Sequence, residues 1–342
     1  MSGRTEGGTI PQTFVGSPWG RYGMKFKDYI WPVIGIGAVI ISAWLLYREL
    51  RSISLDDVLE SLEAINLHHW LLAAGSAVVS YIALAGYDRI ALLHLRRRIS
   101  WPFITLTSFT TYALSHNIGA SMLSGAVVRY RAYTSRGLTG SEVALLIAIC
   151  SFTFILGTVI LSGIVLLIEP EILQRFNDEI SVGLAVGIGL LMLLLVLLYV
   201  FGSWLQLRPL EIGKFRLEYP RLKLVWQQLL IAPVELIGAA GIIYFALPEA
   251  GNPGFLIVLG IFLVSFSAAL MSHAPGGLGV LEIVFLTGLP EMNQADVLAA
   301  LIVFRLFYLL IPFALSLVVV LFFEKSQFSL RLREKDKLAS KE

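Results

Sequence analysis

Charge is scarce in this chain. Lys, Arg, Asp and Glu together supply 15% of its 342 residues, while 57% are hydrophobic. A soluble domain needs roughly 25% charged residues to keep its surface hydrated, so a soluble globular protein is excluded. Cysteine is nearly missing too. Cys150 is the only one and sits inside an apolar run, which rules out an intramolecular disulfide and any cysteine-rich metal site. No G-x-x-x-x-G-K-[ST] loop, H-E-x-x-H pair, dinucleotide fingerprint or G-x-S-x-G elbow occurs. Those gaps argue against ATP hydrolysis by this chain and against the common nucleotide, zinc and serine chemistries, and no cofactor is implied. The net charge of +2 says little as a total and gives no reason to expect a nucleic-acid partner.

What the chain does have is apolar runs, at 29–47, 70–94, 103–133, 142–168, 181–203, 222–247, 255–289 and 294–323. Several approach or exceed the ~20 residues that span ~30 Å of hydrocarbon. This is a polytopic, all-α membrane protein. Residues 1–28 are polar and Gly/Ser/Thr-rich and read as a flexible tail; the first apolar run starts too late to be a signal peptide. Pro102, Asn66 and Gly140-Ser141 mark helix starts. The stretch SLDDVLESLEAINLHHW (54–70) sets Leu55, Val58, Leu59, Leu62 and Ile65 at helical spacing with acids between, the pattern of an amphipathic helix on the membrane surface. His68 and His69 follow it. Solvated interfacial histidines are the favoured reading there, ahead of a metal site.

Two of the runs are interrupted. SHNIGASMLSGAVVRYR (115–131) and SHAPGGLGVLEIVFL (272–286) each begin Ser-His, pass a small-residue turn and continue into apolar sequence. The positive-inside rule decides what they do. If each enters and leaves on one side, 21 of the 26 lysines and arginines fall on the cytoplasmic face, Arg48, Arg51 and Arg175 lie opposite, among acids, and Arg89 and Arg305 fall inside apolar segments. If the first interrupted segment crossed fully, Arg129, Arg131 and Arg136 would be translocated. The expected architecture is therefore about six spanning helices plus two re-entrant helical hairpins, eight helical segments in all. Three crossings per half make an inverted repeat, 29–168 against 181–323, with a basic tail at 324–342 and both termini cytoplasmic. The Ser-His tips would meet near the midplane, as in transporters built from inverted repeats with broken helices. The plainer alternative is that Gly and Pro kink two ordinary helices.

The pattern SHNIGASMLSGAVVRYRAYTSRGLT, then SHAPGGLGVLEIVF, then RLFYLLIP (305–312), resembles the membrane domain of the lysylphosphatidylglycerol synthase/flippase family (multiple peptide resistance factor). LLYRELRSISLDDVLESLEAI and SYIALAGYDRIAL (80–92) fit its stand-alone, YbhN-like members. The resemblance covers roughly residues 40–325. It implies translocation of an anionic or aminoacylated phospholipid between leaflets of a bacterial inner membrane, without aminoacyltransferase activity, since only 324–342 follows the last helix. Implied partners are membrane lipids with anionic phosphate headgroups and a separate lipid synthase. A non-transporting lipid-binding helper of such a synthase and an intramembrane lipid-modifying enzyme stand as the competing classes; oligomeric state is not legible.

Candidate site residues follow from depth. A charge at bilayer depth costs ~3 kcal/mol or more and needs a reason. Arg305 lies about 17 Å into the last helix by helical rise. Its planar fork suits a lipid phosphate; a structural ion pair is the alternative. Glu282, after the Gly276-Gly277-Leu278-Gly279 turn, would pair with Arg305 until phosphate arrives, or take a cationic headgroup. Glu235, just after Pro233, is a candidate proton or headgroup site, against a hydrogen-bonded core glutamate. His116 and His273 at the tips would respond to pH or bind a headgroup, against the commoner satisfied core histidine. Asn117, Gly119, Gly276 and Gly277 belong to turns whose following N–H groups attract anions. Arg129 and Arg131 would attract inner-leaflet headgroups or anchor the hairpin end. Asp88 and Arg89 read as a snorkelling or locally paired couple.

Overall fold

The computed structural model describes residues 55–118, 121–205, 210–212, 215–217, 220–272 and 275–322. The expected tail 1–28, the first apolar run 29–47 and the basic tail 324–342 lie outside them. The described chain is helical: α1 (Leu55–Glu63), α2 (Leu67–His94), α3 (Trp101–Ile118), α4 (Ser121–Thr134), α5 (Gly140–Ile168), α6 (Val182–Trp204), α7 (Leu222–Ala246), α8 (Phe255–Ser272), α9 (Val280–Gly288) and α10 (Gln294–Phe322). Six of these are long and apolar enough to span a bilayer: α2, α5, α6, α7, α8 and α10. The membership differs from the expected six. The run 29–47 is outside the described residues, and α8, the first arm of the second interrupted segment, reaches spanning length with 18 residues. One feature departs from an all-α chain. In the loop after α6, β1 (Leu210–Ile212) pairs antiparallel with β2 (Phe215–Leu217), in register Leu210 to Leu217.

The helix ends follow local chemistry. Thr139, one residue ahead of the expected Gly140-Ser141 start, caps α5. Its hydroxyl accepts from Glu142 N, while Glu142 accepts from Thr139 N, so two orphan donors are satisfied together. Glu142 also holds Arg97 at the end of α2 with bonds of 2.8 and 3.0 Å. In α1, Val58 is buried and Leu62 is partly buried on the core, as is Ile65 just beyond, while Leu55 and Leu59 stay exposed; the helix packs on α10. His69 is occupied structurally: Nδ1–H donates to Phe245 O at 2.8 Å.

Both interrupted segments fold back on themselves. α3 and α4 run antiparallel, with the Arg136 guanidinium 4.3 Å above the Phe103 ring at the open end and Phe103 edge-on to Tyr133. Gly125 is what lets them close: a Cβ there would stand 2.2 Å from Ser115 Oγ. The second segment passes through the turn Pro275–Gly277, where Gly276 and Gly277 have φ of 59 and 66°, and Gly279, just before α9, has φ of 80°. L side chains disfavour that region, so glycine makes the reversal possible. α9 then returns along α8, with Gly288 against Ile261.

The two hairpins open at opposite ends of α5. The first opens beside the Arg97–Glu142 pair at the N-terminal end of α5. The second opens where the turn Pro170–Arg175 follows the C-terminal end of α5. There Arg175 donates to Gly288 O (2.8 Å) and to Glu291 (2.8 Å). The centre is made by α2 packed along α7, with Gly86 under Ile231 and Gly238 under Ser80.

Candidate functional site

The tips of the two hairpins meet on α10. His116 stacks on Tyr308 at 5.1 Å and 16°, and stands edge-on to Phe266 of α8. Asn117 donates to Ala113 O (2.8 Å) and across to Leu309 O (3.1 Å). From the other side, Arg305 donates to Gly276 O at 2.9 Å, and the turn Pro275–Gly277 also packs against α3. Residues 305–310 of α10 form a π turn. A π turn displaces backbone carbonyls from the regular ladder. Side chains from α2 and α3 take up two carbonyls here: Tyr81 Oη donates to Tyr308 O (2.9 Å) and Asn117 to Leu309 O.

Arg305 and Glu282 form an ion pair at this junction. Arg305 Nε donates to Glu282 Oε1 at 3.0 Å and Nη2 donates to the same oxygen. Glu282 Oε2 accepts the Gly279 N–H at 2.8 Å. The carboxylate therefore supplies the anion that the start of α9 attracts. The pair is not sealed: the side chains keep 16% and 10% exposure.

Asp88 and Arg129 make a second, drier pair. Asp88 is fully buried and Arg129 nearly so. Arg129 Nη2 donates to Asp88 Oδ1 at 2.7 Å, Tyr133 Oη to Oδ2 at 2.6 Å, and Cys150 Sγ to Oδ1 at 3.3 Å. The guanidinium also lies 4.7 Å from the centre of the Tyr112 ring. Asp88 is thus paired across to hairpin one rather than with its neighbour. Arg89 turns away and donates to Ile99 O at 3.4 Å. Arg131 is exposed and lines a shallow apolar groove with Phe103, Leu106, Val127 and Val319.

Glu235 is the third buried acid, 1% exposed. Tyr308 Oη donates to its Oε1 at 2.5 Å, while Oε2 is buried with no hydrogen-bond partner among the described residues. His116 Nδ1, Ser108 Oγ and Thr111 Oγ1 on α3 share that condition. Of the sequence candidates, Arg305, Glu282, Gly276, Asn117 and His116 come together at the hairpin junction, with Glu235 joined through Tyr308 and Gly277 in the same turn. Asp88 and Arg129 form their own cluster, with Arg89 and Arg131 outside it. His273 and Gly119 lie outside the described residues. Sequence reading missed the tyrosines. Tyr81 and Tyr308 stand inside motifs quoted above, but their partners lie 227 and 73 positions away, and no local spacing reveals such pairs.

A multi-pass membrane protein in which two broken helical segments converge on buried ionic groups is the class this architecture defines. The sequence matches the family described as "Lysylphosphatidylglycerol synthase TM region" over residues 35–316. The chain belongs to that family. It is similar to an uncharacterised protein of Synechocystis, 29% identical over 303 residues covering 88% of this chain and 94% of the relative. It is also similar to "Inner membrane protein YbhN" of Escherichia coli, 30% identical over 302 residues covering 86% and 92%. A "Phosphatidylglycerol lysyltransferase" of Staphylococcus haemolyticus is 25% identical over 307 residues, 84% of this chain but 34% of that protein. The similarity to the lysyltransferases is thus confined to their transmembrane part.

Proposed function

We propose that this protein moves an anionic or aminoacylated glycerophospholipid between the leaflets of a bacterial inner membrane, with any aminoacyl transfer left to a separate synthase. In this reading the two hairpins are re-entrant and belong to inverted halves, 29–168 and 181–323, with both termini cytoplasmic. The family membership supports a lipid role, and the name of the Escherichia coli relative supports the membrane.

The observation that carries the reading is the junction itself: an arginine–glutamate pair, partly exposed, held between the ends of two broken helices. Breaking a fully buried pair without replacement costs about 3–5 kcal/mol, and this partly exposed pair costs less. A phosphate offers Arg305 the same charge-assisted acceptors, in the bidentate geometry its fork prefers. Glu282 would lose its bonds at Oε1 in the exchange and keep the Gly279 N–H at Oε2, in a site with some access to water. The lipid headgroup passes by displacing one carboxylate, and its tails stay in the bilayer.

The test uses purified protein in vesicles of phosphatidylethanolamine and phosphatidylglycerol containing a fluorescently labelled phosphatidylglycerol. Wild type moves the label across with the headgroup unchanged; Arg305→Ala abolishes movement while folded yield is retained. Wild-type movement in Arg305→Ala retires the role of Arg305. A chemically altered headgroup points to an enzyme, and binding without movement to a helper.

A further inference from the structure

Glu235 and the two ion pairs sit in the same helix bundle, but Glu235 is treated differently. Asp88 is neutralised by Arg129 and Glu282 by Arg305. The other described ion pairs, Arg97–Glu142 and Arg175–Glu291, lie at helix ends. Glu235 has one hydrogen bond, from Tyr308, and an empty Oε2. The groups facing it cannot fill that role. From α2, Tyr87 donates to Ala232 O (2.8 Å), Tyr81 to Tyr308 O and Ser80 to Glu235's own backbone O (2.5 Å). From α10, Tyr308 is already bonded to Oε1. From α3, His116 stacks on Tyr308 with Nδ1 unpartnered among the described residues. α8 turns the rings of Phe262 and Phe266 toward this cluster. Cys150 of α5 is bonded to Asp88. An ionised carboxylate buried without a cation or a set of donors is not tolerated; such a group keeps a proton.

We propose that Glu235 is a coupling site for a proton, and that lipid movement draws on a transmembrane proton gradient through it. This rests on the transport reading above. The step is a simple exchange: the carboxyl O–H breaks, the proton passes to water and a carboxylate remains. That carboxylate is stable only when water reaches it, so release and rebinding occur in conformations open to one side. Two features tie the site to the hairpin junction. Tyr308, its one donor, belongs to the π turn that also holds Arg305. His116, near the tip of hairpin one, stacks on Tyr308.

The experiment uses the same vesicles and labelled phosphatidylglycerol, with a pH gradient, a sodium gradient at equal pH, or neither. Wild type drives the label to unequal leaflet distribution under the pH gradient only, and a protonophore removes the asymmetry. Infrared spectra of the reconstituted protein show a protonated carboxyl band that Glu235→Gln deletes, and Glu235→Gln shows no gradient-driven asymmetry. Equal distribution under every gradient, with label still moving in wild type, overturns the coupling and leaves the transport reading standing. Asymmetry driven by sodium overturns the proton assignment. A gradient response or an intact carboxyl band in Glu235→Gln overturns the residue. No movement of label in any condition overturns both readings.

Discussion

Removing Arg129 should be among the most damaging single changes in this protein. Asp88 beneath it is fully buried, and its remaining donors would be the Tyr133 hydroxyl and the Cys150 thiol. Breaking a buried pair by deleting one partner costs about 3–5 kcal/mol, because the other charge stays behind unpaired. At about 1.4 kcal/mol per factor of ten, that is at least a hundredfold in the folding equilibrium. Membrane proteins in detergent usually denature irreversibly, so the readout is a half-life at fixed temperature. Arg129→Met removes the charge and keeps most of the volume. Purified Arg129→Met should lose its monodisperse gel-filtration peak roughly a hundredfold faster than wild type, provided the pair breaks on the way to the unfolding transition state. The double variant Asp88→Asn with Arg129→Met should recover most of the loss, since no buried charge is then orphaned. The coupling between the two sites in the cycle should exceed about 1 kcal/mol. If Arg129→Met is as durable as wild type, or if the double variant decays as fast as the single, the burial argument is wrong.

Three further outcomes follow from the hairpins. Gly125→Ala should lower folded yield, since its Cβ would stand 2.2 Å from Ser115 Oγ, and adding Ser115→Ala should restore much of it; no rescue would mean these helices do not touch there. Gly276→Ala should cost about 1–2 kcal/mol in thermal stability from φ of 59° alone, because the added Cβ comes no nearer than 3.4 Å to Leu309. A topology reporter inserted after Arg136 should read cytoplasmic and one after Asn177 external; the same side for both would exclude a single crossing by α5.

Much of the fold was legible because bilayer solubility writes itself into sequence. The apolar runs 70–94, 222–247 and 294–323 match α2, α7 and α10 to within three residues at either end. The breaks in the two interrupted runs were visible as small-residue turns inside hydrophobic sequence, and the structure closes both as hairpins. The short ribbon β1–β2 was missed because three-residue strands carry no usable periodicity. At the site, depth along a helix singled out Arg305 and Glu235, and the Gly-rich turn before it singled out Glu282. Depth does not tell partners apart. Asp88 looked like the mate of Arg89 because they are neighbours in sequence, yet a helix turns adjacent side chains about 100° apart. Asp88 faces hairpin one and finds Arg129, 41 positions on. The tyrosines that serve the acids were invisible for the same reason: they act across helices, where only packing brings them near.

The most direct test of the account is the depth of a hairpin tip. Leu278 is half-exposed in the turn before α9, and Cys150, the chain's single cysteine, is buried. A spin label on Leu278→Cys in reconstituted bilayers can be ranged against oxygen and a water-soluble nickel chelate. A re-entrant tip at the junction places the label deep within the hydrocarbon region. A label at headgroup level or in bulk water would contradict the proposed meeting of two hairpins inside the membrane.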